Sequence, residues 1–74
     1  MNAEVLTWVF FGSHGVTDET DLIRANILCM VISGMDEPTV EKIKETSAYM
    51  SAQYDLPNHL LTDEKLQEMI DFKI

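Results

Sequence analysis

The sequence predicts an all-α fold: a compact bundle of about four short helices forming one small domain over residues 1–74. Three observations carry that expectation. Turn-forming clusters cut the chain into four segments, acids follow capping residues at segment starts, and apolar residues in the second half recur at spacings of three and four. No linker, repeat or low-complexity stretch interrupts the segments, so a single unit is expected.

The first segment, residues 2–11, ends at Gly12, Ser13, His14 and Gly15, a run of turn formers. Its Val5, Leu6, Trp8, Val9, Phe10 and Phe11 are apolar almost all round, and Val, Trp and Phe favour strands. A helix is expected because no partner strand is evident. The alternative is an α+β fold in which residues 5–11 form a strand, paired with residues 27–32 or with a second copy.

The second segment opens at Thr17, a good N-cap, followed by Asp18, Glu19 and Asp21, which suit the positive end of a helix. It runs through Leu22, Ile23, Ala25, Ile27, Leu28, Cys29, Met30, Val31 and Ile32, and Gly34 fits just past its end. Apolar on every side, it is expected to be the central helix, enclosed by the others.

The third segment starts at Asp36, Glu37 and Pro38, with proline in the first turn where its missing N–H costs nothing. Val40, Ile43, Ser47, Met50 and Tyr54 form a heptad-like seam, and Glu37, Glu41 and Glu45 recur every four residues on the other face. In the fourth, Thr62 caps, Asp63 and Glu64 fill the first turn, and Leu61 faces Leu66 as a hydrophobic staple. Leu66, Met69, Ile70 and Ile74 share one face, Phe72 lies to its side, and the helix is expected to run to Ile74.

Composition narrows the function classes. An apolar share of 46% is far too high for disorder. Asp and Glu number 13 against 5 Lys and Arg, a net charge of −8 that repels nucleic acid and anionic lipid and suits a basic protein partner or simple solubility. No basic start with a signal core is seen at the N-terminus, and no apolar run approaches the ~20 residues of a membrane span. A cytoplasmic location is expected, with no membrane partner, and the single cysteine agrees.

The candidates for chemistry are few. Cys29 lies in Ile-Leu-Cys-Met-Val-Ile, an apolar setting that raises a thiol pKa and so suits a core residue rather than a nucleophile. Cys29, His14 and His59 lack zinc-ligand spacing, and Asp18, Glu19 and Asp21 lack the pattern of a calcium loop. No nucleophile elbow surrounds Ser13 or any other serine. The expectation is a protein that is not an enzyme and has no catalytic residue, cofactor or metal.

The acidic row Glu37, Glu41 and Glu45 carries a specific alternative. Carboxylates four apart advance by ~6 Å along a helix, close to the phosphate spacing of one DNA strand, so the row is a candidate nucleic-acid mimic. Lys42 and Lys44 beside it point instead to a solvated face with i,i+3 pairs to Glu45 and Glu41. The apolar surplus is more informative. Trp8, Phe10 and Phe11 cannot all point inward from one short helix, and Met50 and Tyr54 suit a partner helix.

The leading expectation is therefore a small acidic protein–protein interaction module that binds and modulates a larger partner, or a homodimer, through Trp8, Phe10, Phe11, Met50 and Tyr54. In general type, being short, acidic and without catalytic residues, the chain resembles the small accessory proteins of phages and other mobile elements. The alternative expectation is a nucleic-acid-mimicking inhibitor of a DNA- or RNA-binding protein, acting through the acidic row.

Overall fold

The computed structural model describes residues 2–73, Lys73 by its backbone alone. The described residues form five α-helices, two short 3-10 turns and no strand, in agreement with the all-α expectation. The α+β alternative falls at the first segment. Helix α1, Ala3–Phe10, is capped by Asn2, whose side chain accepts from the Glu4 N–H at 2.8 Å. A 3-10 turn over Gly12–His14 follows. Gly15 reverses the chain at φ 95°, the left-handed region that side chains resist.

Helix α2, Glu19–Gly34, is the longest element. Its N-cap is Asp18 rather than Thr17, with the Asp18 carboxylate accepting from the N–H groups of Thr20 at 2.9 Å and Asp21 at 3.3 Å. A carboxylate satisfies two exposed donors and opposes the positive helix end, where a hydroxyl would do less. Gly34 is the last helical residue, and Met35 leaves it in extended conformation.

The third segment is two helices instead of one. Helix α3, Val40–Lys44, and helix α4, Ser47–Asp55, are separated at Glu45 and Thr46. Thr46 makes the break: its hydroxyl donates to the Ile43 carbonyl at 2.7 Å and accepts from the Tyr49 N–H at 3.2 Å. One side chain thus finishes α3 and caps α4. Thr39 caps α3 by accepting from the Lys42 N–H, which places Pro38 just before the helix and not in its first turn. The heptad-like seam is consequently not a continuous face. Ile43 is fully buried, whereas Met50 and Tyr54 look outward from α4.

After a 3-10 turn over Asn58–Leu60, helix α5, Asp63–Lys73, starts as expected, with the Thr62 hydroxyl accepting from the Lys65 N–H. Leu61 and Leu66, the two ends of the staple, are both buried, as are Met69 and Ile70. Ile74, placed on the same face from the sequence, lies outside the described residues.

Helix α2 runs between α1 and α4, and α5 closes against α1, α2 and α3. One core unites Leu6, Phe11, Leu28, Ile32, Ile43 and Leu66 with smaller side chains such as Cys29 and Ala52. Each large side chain enclosed there contributes roughly 1.5–3 kcal/mol of transfer free energy. The radius of gyration is 10.7 Å, against about 11 Å for a compact chain of this length.

Candidate functional site: the open face of helices α1 and α2

Helix α2 buries Ala25, Leu28, Cys29 and Ile32. Its opposite side carries Ile23, Ile27 and Met30, spaced four and three apart and so in one row along about two turns. That row is open: Ile23 is 55% exposed, Ile27 41% and Met30 58%. The enclosed central helix expected from the sequence is therefore half-enclosed. Helices α1, α4 and α5 pack against it and leave the outer row largely open.

Helix α1 adds Trp8 to this face; its Val5 and Val9 are exposed too but do not line the cleft. Trp8, 54% exposed, lies at the seam, where Glu4, Thr7, Trp8, Glu19, Leu22, Ile23, Asn26 and Ile27 line an open cleft of about 260 Å³. The indole is held from below by Gly12: a Cβ built there would stand 2.3 Å from the indole Cε3. Only glycine leaves room for that ring position.

The floor of the cleft is polar but satisfied. Thr7 is buried, its hydroxyl donating to the Ala3 carbonyl at 2.7 Å and accepting from the Asn26 side-chain N–H at 3.2 Å. This pins α1 to α2 by a bond 19 residues apart in sequence. Just inside, burial pushes the Cys29 thiol up to about 11, opposed by the neighbouring Thr7 hydroxyl. A thiol so raised is neutral at pH 7 and a poor nucleophile.

The other expected binding residues separate. Phe11 is 0% exposed and belongs to the core, a correction to its place in the patch. It follows the last turn of α1, and its N–H bonds the Thr7 carbonyl while its carbonyl accepts from Val16 and His14, so the turn folds its ring inward. Phe10 is half-buried against the core and meets Phe72 of α5 edge to face, ring centroids 5.5 Å apart, so it is spent within the molecule. Met50 and Tyr54, the latter 91% exposed, lie one turn apart on α4, and neither lines the cleft beside Trp8.

The acidic row is not formed. Glu37 precedes α3, Glu41 lies within it and Glu45 is its C-cap, so the three share no helix face. The expected pairs with lysine are replaced too: Lys44 bridges to Asp63 at 2.9 Å, and Lys42 donates to the Glu37 carbonyl at 2.9 Å. Of the row, Glu41 alone joins another acidic surface, a shallow depression between α3 and α5 with Asp63, Glu64, Glu68 and Asp71. Ser13 and His14 are within 3.2 Å of each other on the surface, but the Ser13 hydroxyl donates to the Val9 carbonyl at 2.6 Å. That proton is held by the backbone and not by an imidazole.

Ile23, Ile27 and Met30 were hidden in the sequence by the very uniformity of their segment. The available signal was size: a helix apolar at every angle cannot be surrounded on all sides in a chain of 74 residues. Fold and site together define a small, acidic, all-α protein with an open apolar face across two helices. No family model, curated protein or solved structure matches the chain. No helix among the described residues is long and apolar enough to cross a membrane.

Proposed function

We propose that this protein is a protein–protein interaction module that docks a larger partner on the open face of α1 and α2 and modulates it. The observation that supports this reading is the row Ile23, Ile27 and Met30 beside Trp8, which stays exposed although the inner side of the same helix closes into the core. Exposed apolar side chains gathered along one face mark binding surfaces, and Trp and Met are favoured at interfaces. A non-catalytic role is consistent with the neutral thiol of Cys29 and the backbone-bonded hydroxyl of Ser13.

The test is affinity capture from the native host with mass spectrometry, using wild type, Ile27→Glu and Tyr54→Glu as baits. The expected result is a partner retained by wild type and Tyr54→Glu and lost by Ile27→Glu, with unchanged helical circular dichroism in all three. A partner profile identical for all three baits refutes docking on this face.

A further inference from the structure

The charge around the open face selects its occupant. Glu4 of α1 and Glu19 in the first turn of α2 stand in the cleft wall beside Trp8, Ile23 and Ile27. Among the described residues no lysine or arginine side chain lines the cleft to offset them: Arg24 pairs with Asp55 at 2.9 Å, Lys44 with Asp63 at 2.9 Å and Lys65 with Glu68 at 3.3 Å. Lys42 is taken up by the Glu37 carbonyl, and none of these four cations lines the cleft. The result is a cleft with Trp8, Leu22, Ile23 and Ile27 as its apolar lining and a carboxylate rim, on a chain of net charge −8.

We infer that the face receives an amphipathic helix of a partner protein whose apolar stripe is flanked by Lys or Arg. The inference rests on the proposed docking role and adds the chemistry of the partner. Apolar anchors at i, i+3 or i+4 and i+7 match an outward row of the same period on α2 across a cleft open on one side, the mode in which a helix lies in a groove. Flanking cations meet Glu4 and Glu19, and the acidic field raises the encounter rate. A second copy fits poorly, because it brings −8 against −8 and the same glutamates to the same rim. Nucleic acid and anionic lipid are repelled by the same field.

Trp8 is the single tryptophan, so the site carries its own reporter. The probe is a synthetic, tryptophan-free amphipathic helix with Leu at the anchor positions and Lys flanking them, compared with the same peptide bearing Glu for every Lys. The expected result is a blue shift of Trp8 emission with the Lys peptide, with affinity at least about tenfold above that of the Glu peptide. That affinity weakens as salt rises from about 50 to 200 mM. It falls about three- to tenfold in the double variant Glu4→Gln/Glu19→Gln. Ile27→Glu, folded by circular dichroism, removes the shift.

Equal affinity for the two peptides, or no shift of Trp8 with either, overturns the inference. So does a micromolar dimer in sedimentation that Ile27→Glu dissociates, which assigns the face to a second copy. If host capture still loses a partner with Ile27→Glu while the peptides show no charge preference, the docking face stands and only its basic partner is wrong.

Discussion

Helices α2 and α5 both carry large apolar side chains, yet they use them in opposite ways. In α5 the apolar residues fall into one stripe, and Leu66, Met69 and Ile70 are all enclosed, with Phe72 at the margin against Phe10. In α2 they fill two stripes, and only the inner one, with Leu28 and Ile32, is enclosed. The first helix is held by its stripe. The second holds the fold with one stripe and leaves the other free of folding duty. Adjacent residues therefore belong to different tasks: Leu28 is fully buried and Ile27 is 41% exposed.

The sharpest way to break this contrast is to cut the enclosed stripe. Leu66→Ala leaves a cavity and is expected to cost about 2–5 kcal/mol, out of a total on the order of 4–11 kcal/mol for a chain this size. Urea or thermal unfolding followed by circular dichroism should show a large drop in midpoint. Ile27→Ala, by contrast, should move stability by no more than about 0.5 kcal/mol. Equal losses at the two positions would mean that the outer row of α2 serves the fold.

The next effect is on the enclosed side of α2 and is read by pH. The folded Cys29 pKa is raised from 9.0 to about 11 by burial, so the fold holds the thiol proton more tightly than the unfolded chain does. Its contribution is complete below about pH 9 and is lost as pH rises through about 11, a span worth about 2–3 kcal/mol. Cys29→Ala should flatten that part of the stability profile. Thiol titration of native protein at pH 8 should be slow and should become fast on unfolding.

On the open side, Gly12→Ala tests the seat of Trp8. The added Cβ meets the indole, which must swing away. A loss of about 1 kcal/mol and a red shift of Trp8 emission are expected, whereas an unmoved spectrum would place the ring elsewhere. The smallest effect belongs to the surface bridge between Lys44 and Asp63, whose proximity raises the lysine pKa. Both side chains are exposed, and such pairs add little. Asp63→Asn should leave the melting temperature within experimental error, and a clear drop would show that α3 docks on α5 through charge.

The features legible from residue order are local. Thr62 with Asp63 and Glu64, the staple of Leu61 and Leu66, and the apolar setting of Cys29 each depend on neighbours a few residues away, and each is found where the pattern puts it. The helical state of α1 was less plain, since Val, Trp and Phe also suit a strand, and it is the Asn2 cap and the docking on α2 that hold it.

The remaining features depend on how the helices pack. Spacing of three and four described one continuous third helix with a seam and an acidic row. Thr46 instead ends α3 and starts α4, because the break lets Ile43, Tyr49 and Ala52 all enter one core. Phe11 went inward because the turn after α1 folds its ring toward the core, whereas Trp8 stayed outward. Periodicity says which residues share a face, but only the number of helices around that face says whether it is covered. In so small a chain there is too little protein to cover α2 twice, and its outer half stays open.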